Sequence, residues 1–566
     1  MSKGNVSELT SLLREESTSD FSDEPDLIEE EYNRHNLSLP KLPILISLWL
    51  GSFLVALDGT IVANIMNRIA EEFEESDKKQ WIATSFLLTN TAFQPLYGKL
   101  SDITGRRFAL FTAQFFFGIG CLLTCFARNV TEFSIARAVC GIGGGGISAM
   151  SSITVSDICT AKERGIYQGY ANVVFGSGQL LGAPLGGFVI NKFGWRTIFS
   201  TQVPMVVLCI ILGHRNVNIK LAHIPPANER FTRKNLARLD FLGSITLVFS
   251  ISGILFLCSS NLNKLMLSVF TALSFITFTY NELFLAPERI LPLELLKGSF
   301  GLSSLLTVFS SFVIFGDVFR SPIYLQLVQN MSITKSGLFV LFGSVASACA
   351  SLVTGWILRR TRMDMAKCAF LIVFVAFVLQ LLGLSCNALL LSQLEPNQTS
   401  YLAYETKKGN LKSYVLKSDS FCWKLIYITS MVFNSYGYAS LLVATLVSIV
   451  FTVDKSQQAT VTGIFYLWRS IGNVLGASLT LSLYDKALSD KLWKFMSTNG
   501  LKDAYKPLIR DSSYLRHAFS GKELAELLDI YNTAFIISYL PNISIAVVAV
   551  GVALVLIRVY RPKEVS

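Results

Sequence analysis

Fourteen apolar runs, each long enough to form a membrane-crossing helix, succeed one another between residues 44 and 558. They lie near 44–66, 80–100, 108–127, 132–153, 166–190, 197–213, 241–260, 264–286, 300–325, 336–358, 366–392, 423–450, 459–483 and 534–558. One bilayer-spanning helix takes about 20 apolar residues, so fourteen account for roughly 280. The pattern predicts an all-α integral membrane protein with 14 transmembrane helices. Composition agrees, with 566 residues that are 51% hydrophobic and 16% charged and a mean hydropathy of +0.48. Soluble proteins are about 25% charged, and disordered, collagenous and disulfide-rich classes are excluded by the same figures.

Polar segments set the organisation. Residues 1–42 read as a disordered cytosolic tail, acidic through Glu15, Glu16, Asp20, Asp23, Glu24 and Glu29 to Glu31, with no apolar segment and hence no expected cleavable signal peptide. Short loops rich in Lys and Arg mark the cytosolic side. One set of loops carries Arg106 and Arg107, Lys162 and Arg164, six basic residues from Arg215 to Arg238, and Arg359, Arg360, Arg362 and Lys367. The opposite set carries Lys78, Lys79, Arg128, Lys192 and Lys335. Both termini are therefore expected in the cytosol. This asymmetry explains most of the net charge of +10 without a nucleic-acid partner. Two long loops, 393–422 and 484–533, fall on the far side, where a sequon at Asn397 is a permitted glycan site.

Cysteine and histidine add little. Cys121, Cys125, Cys140, Cys209, Cys258 and Cys349 sit inside apolar runs without metal-ligand spacing and read as packing thiols. His35, His214, His223 and His517 lie outside or at the edges of the runs, so an intramembrane proton carrier is expected to be a carboxylate. The run Gly141 to Gly146 lacks the preceding strand and the Lys-Ser/Thr ending of a phosphate loop. Small residues that let membrane helices pack closely explain it better. With no metal cluster, nucleophile elbow or phosphate loop, neither enzymatic activity nor a cofactor is expected.

Burying a charge within a span costs several kcal/mol or more, which singles out Asp58, Arg137, Asp317, Arg320 and Arg469. Each acid can pair statically with an arginine and lock helix packing. Each can also be neutralised in turn by a proton or a cationic substrate, and that competition is the simplest basis for exchange. Both readings stay open for Arg137 and Arg469; the exchange reading is preferred for Asp58 and Asp317. Asp58 would face the cavity with Asn64 one to two turns away, and Arg137 nearby would favour its charged form. Asp317 and Arg320, three apart on span nine, share a helix face and read as a second, substrate-facing pair, followed by Tyr324 and Gln326.

The loop after span two reads Gly98-Lys99-Leu100-Ser101-Asp102-Ile103-Thr104-Gly105-Arg106-Arg107. Its glycines allow a tight turn between helices, and its charges can lock one conformational state and release another. The spacing resembles the signature gating loop of the major facilitator superfamily. Leu57-Asp58-Gly59-Thr60-Ile61-Val62-Ala63-Asn64, Arg137 to Gly141 with Gly143 to Gly146, Gln80-Trp81, and Gly194-Trp195-Arg196 are similar to motifs of its fourteen-span drug:proton antiporter branch. So are Gly169, Gly178, Gly182, Pro184, Gly186 and Gly187 in span five, which resemble the branch's antiporter motif. Pro184 sits one position late and Asn67 replaces a proline, as in a divergent sub-branch. The run Trp81 to Gly105, Lys455-Ser456-Gln457-Gln458 and Asp511-Ser512-Ser513-Tyr514-Leu515-Arg516 resemble the fungal vacuolar basic amino acid transporters.

The resemblance implies two six-helix bundles, 43–213 and 287–560, joined by a basic cytosolic loop at 214–240 and two extra central spans at 241–286, with a cytosolic tail at 561–566. The bundles would alternate access to a central site. It further implies a monomer in contact with lipid that moves lysine, arginine and histidine from the cytosol into the vacuole by proton antiport. Two acidic dileucine stretches, Glu8 to Leu13 and Asp23 to Ile28, are candidate addresses for a sorting adaptor. A multidrug:proton antiporter of the plasma membrane and a non-transporting scaffold or nutrient receptor remain as alternatives.

Overall fold

The computed structural model describes residues 31–559 except 33, 76–79, 222–223, 226–228, 233–234, 236–237, 239, 260–263, 287–288, 290–297, 332, 393–420, 452–457, 499–507, 509–514, 516–518 and 520. The dileucine stretches, the Asn397 sequon and most of the two loop matches at 455–457 and 511–516 lie outside the described residues.

The helices in chain order are α1 (Lys41–Glu72), α2 (Gln80–Thr104), α3 (Arg106–Phe126), α4 (Val130–Ile158), α5 (Ala161–Phe193), α6 (Trp195–Asn216) and α7 (Phe241–Ser259). They continue with α8 (Lys264–Tyr280, extended by a π-helical turn Asn281–Leu285), α9 (Ser299–Leu327), α10 (Ile333–Arg360), α11 (Met365–Ser392), α12 (Phe421–Phe451), α13 (Gln458–Thr498) and α14 (Gly521–Val559). One helix thus answers each expected run. Among the described residues, nine helices are long and apolar enough to cross a membrane by length and composition. The others are shorter or more polar: α8 has 17 residues, and α2 carries Lys99 and Asp102 in its last two turns.

The outer faces are apolar, as lipid contact requires. Phe111, Phe115 and Leu122 of α3, Leu265, Val269 and Ile276 of α8, and Val547, Val548 and Val555 of α14 are all exposed. Such a large exposed apolar surface would be unstable in water.

The chain divides into two compact units, one from Met1–Arg164, Gly186–Asp240 and Asp454–Gly463, the other from Gly165–Leu185, Phe241–Val453 and Ile464–Ser566. The segment Gly165–Leu185 therefore groups with the second unit, whereas the boundary 43–213 counts it with the first. Its small residues explain the grouping. The Asn172 side chain donates to Ser351 Oγ at 3.0 Å, and a Cβ on Gly169 would lie 3.1 Å from the Ser351 backbone.

In the first unit the glycines of α4 set helix spacing. A Cβ on Gly141 or Gly145 would run into the backbone of Phe86 or Asn90 on α2, and one on Gly143 into Phe117 on α3. Backbone cannot swing aside as a side chain can, so Gly145→Val is expected to cost at least the roughly 1–3 kcal/mol of an overpacked core. The check is the yield and melting temperature of the detergent-purified variant. Wild-type values would show that α2 and α4 do not depend on this close approach.

The second unit differs from expectation at 484–533. The helix α13 continues without a break to Thr498, and α14 begins at Gly521. Tyr484, Leu488, Leu492 and Met496 recur every fourth residue and are all buried, packed with Leu515, Leu527, Leu528 and Tyr531. That one-face repeat makes an amphipathic helix, and the polar residues between the four explain why it reads as loop.

Candidate functional site

In the first unit Asp58 of α1 and Arg137 of α4 meet. Arg137 Nη1 donates to Asp58 Oδ2 at 2.6 Å, with the side chains 1% and 0% exposed. The guanidinium lies over the Phe86 ring, 4.4 Å from its centroid. Asp58 Oδ1 and Arg137 Nε are buried without hydrogen-bond partners among the described residues. Half the carboxylate is thus satisfied and half is not, which leaves Oδ1 open to a further hydrogen-bond donor. Beside it Cys121 and Cys140 are buried with sulfurs 3.9 Å apart. The Asn64 side chain lies outside the described residues.

The loop from Gly98 to Arg107 is tied together by Arg106, which is 1% exposed. Its Nε donates to Asp157 Oδ2 and its Nη1 to Ser101 Oγ and Asp102 Oδ1, each at 2.7 Å. Asp157 becomes a partner of this loop through its position in the last turn of α4. Arg107 takes a different partner, donating to the Val217 carbonyl at 3.0 Å. Gly98, buried in α2, accepts from Ser101 Oγ. Gly105 sits between α2 and α3 at φ 96°, ψ 155°, a conformation open in practice to glycine alone. On the same side Lys41 Nζ donates to Glu163 Oε2 at 2.8 Å, and this bond holds the Glu163 carboxyl below its ordinary value. The pair therefore stabilises above the usual carboxylate range, and that contribution fades as pH falls through the lowered value. Being partly exposed, it is worth little.

In the second unit Arg320 Nη2 donates to Asp317 Oδ1 at 2.8 Å, and Arg320 Nη1 to the Ser538 carbonyl at 2.9 Å. Asn434 Nδ2 donates to Asp317 Oδ2 at 2.9 Å, and the Tyr539 ring lies under the guanidinium at 3.2 Å. Both carboxylate oxygens are engaged, unlike those of Asp58. Tyr324 is buried on the same helix face, its hydroxyl accepting from Gln329 at 2.8 Å. Gln326 is not brought to this cluster: it lies half a turn round α9 and donates to Ser336 Oγ at 3.1 Å. Asn434 and Tyr539 come from α12 and α14, with no spacing in the sequence to tie them to Asp317. Arg469, on α13, donates from Nε to the Tyr438 hydroxyl at 3.0 Å and has no carboxylate partner among the described residues.

Of the antiporter-motif residues, Gly169, Gly178 and Gly182 are buried along α5, while for Pro184, Gly186 and Gly187 only the helical backbone is described. Trp195 and Arg196 do engage: Trp195 Nε1 and Arg196 Nη1 donate to the two oxygens of Glu72 at 2.8 and 3.1 Å, tying α6 to α1.

A family model described as Major Facilitator Superfamily matches residues 48–400. The chain belongs to the major facilitator superfamily. Within it, the chain is 62% identical to vacuolar basic amino acid transporter 1 of Saccharomyces cerevisiae over 94% of this chain and 95% of that one. It is 34% identical to multidrug resistance protein fnx1 of Schizosaccharomyces pombe over 82% and 83% of the two chains. The solved human organic anion transporter MFSD10 shares the superfamily fold, with a TM-score of 0.52 at 14% identity over 90% of this chain and 99% of that one. Membership makes the protein a membrane transporter.

Proposed function

We propose that the protein is a secondary active transporter that carries lysine, arginine and histidine from the cytosol into the vacuole in exchange for protons, with both termini in the cytosol. The observation that carries this reading is the 62% identity, end to end, with a yeast vacuolar basic amino acid transporter. Asp58 supplies the coupling group. Its half-satisfied carboxylate, held among the described residues by Arg137, accepts a proton from the acidic lumen in one state and gives it up to the cytosol in the other. Asp317, with both oxygens already engaged, serves the packing of its own unit. Arg106, Asp102 and Asp157 act as the gate that holds one state closed. The 34% identity to a multidrug resistance protein favours multidrug:proton antiport as the second reading.

Uptake of labelled lysine into sealed, acidified vacuole vesicles tests it. Vesicles containing the protein are expected to accumulate lysine, and an ionophore that collapses the proton gradient is expected to stop them. Equal uptake by vesicles with and without the protein would overturn the amino-acid reading.

A further inference from the structure

The arginines Arg106, Arg137 and Arg320 each meet a carboxylate. Arg469 does not. Its guanidinium carbon lies 5.9 Å and 5.8 Å from the ring centroids of Tyr438 and Tyr466, and Nε is spent on the Tyr438 hydroxyl. Both tyrosines are buried, as is Gln168, whose amide reaches the Tyr466 hydroxyl at 3.5 Å. Arg469 itself is only half-buried, so its terminal nitrogens remain reachable. One turn further along the same face of α13, Asn473 Oδ1 is buried and accepts no hydrogen bond among the described residues.

A cation within a membrane-spanning helix and without a counter-charge is costly. The fork of a guanidinium matches the two oxygens of a carboxylate better than any other common anion on a metabolite except phosphate. Asn473 Oδ1 asks for a donor within one helical turn of that anion. An amino acid backbone offers the complementary pair, an α-carboxylate next to an α-ammonium.

We propose that Arg469 binds the α-carboxylate of the transported amino acid and that Asn473 Oδ1 accepts a hydrogen bond from its α-ammonium. The proposal rests on the basic amino acid reading above and deepens it. It separates the recognition of the backbone, made here, from that of the cationic side chain. It also accounts for how the scaffold would reject organic cations that lack a carboxylate, since these would leave Arg469 unpaired.

The test uses lysine, lysine amide and cadaverine as competitors of labelled lysine uptake by the full chain in acidified vesicles. For the wild-type protein, half-inhibition is expected to need about tenfold to a hundredfold more of either carboxylate-free analogue than of lysine, the value of one charged hydrogen-bond contact. Arg469→Gln is expected to lose most lysine uptake and to bring the three competitors to within a few-fold of one another. Arg469→Lys, which keeps the charge without the fork, should recover part of the preference. Wild-type uptake inhibited equally by lysine and lysine amide would overturn the proposal while leaving basic amino acid transport intact. So would an Arg469→Gln protein that keeps the wild-type preference. The wild-type comparison needs no variant, so it stands even if Arg469→Gln fails to fold. A wild-type protein without gradient-driven lysine uptake would overturn the functional reading itself, and this proposal with it.

Discussion

An Asp58→Asn protein is expected to reach the membrane and to lose gradient-driven lysine uptake down to the level of vesicles without the protein. The amide is close in shape to a carboxylate that never releases its proton, and its oxygen still accepts from Arg137, so the contact at 2.6 Å keeps a hydrogen bond while losing its charge. What goes with the charge is the proton cycle. The substitution also leaves the Arg137 guanidinium, 1% exposed, without a counterion, which costs up to about 3–5 kcal/mol. Two losses must therefore be told apart. Adding Arg137→Gln to Asp58→Asn should restore the melting temperature without restoring uptake. If Asp58→Asn alone keeps full gradient-driven uptake, the proton is carried elsewhere and the coupling role assigned to this pair is wrong. A full biological effect without any transport would point to the receptor alternative.

The second large effect is one of stability. Truncating Arg320 to alanine strands the Asp317 carboxylate, whose side chain is 3% exposed, and removes the bond to the Ser538 carbonyl. Breaking a buried pair from one side costs about 3–5 kcal/mol, whereas replacing both members by apolar residues of similar volume is often neutral. Thermal unfolding in detergent is expected to show a large drop for Arg320→Ala and for Asp317→Ala, and near-recovery for Asp317→Leu with Arg320→Met. If the doubly apolar protein folds but no longer transports, Asp317 belongs to the transport cycle and not to packing alone. An Arg320→Ala protein that melts with the wild type would show that the pair holds nothing together.

Much of this was legible beforehand because membrane burial makes sequence unusually explicit. Long apolar runs have no other use, so each helix could be placed, and a charge inside a run is expensive enough to announce itself. Asp58 and Arg137 were readable for that reason, although 79 residues separate them. The partners that neutral polar residues provide were not. Asn434 and Tyr539 reach Asp317 from distant helices, and an Asn or Tyr in a span carries no penalty large enough to mark it. Asp157 does not stand out in the sequence, because its charge sits at a helix end, where water is close and the cost signal disappears. The continuation of α13 beyond residue 483 was hidden by a different cause. Its apolar residues come every fourth position, and a count of net hydropathy averages them away. Arg469 was visible as a charge, but only the structure distinguishes an arginine with a counterion from one whose neighbours are tyrosines.

The length of α13 has a consequence of its own. Its 41 residues span about 60 Å as a helix, roughly twice the hydrocarbon core of a bilayer. In a bilayer the excess would extend beyond the lipid, and its Tyr484, Leu488, Leu492 and Met496 edge packs against Leu508, Leu515 and Phe519 ahead of α14. In the topology proposed above this segment would face the lumen of the vacuole, a digestive compartment, where a protease needs an extended stretch of backbone in its cleft. Between residues 484 and 498 it meets amides already hydrogen-bonded within a helix, so cutting there must wait for local unfolding. What reads as a vulnerable loop is instead a segment armoured by its own secondary structure.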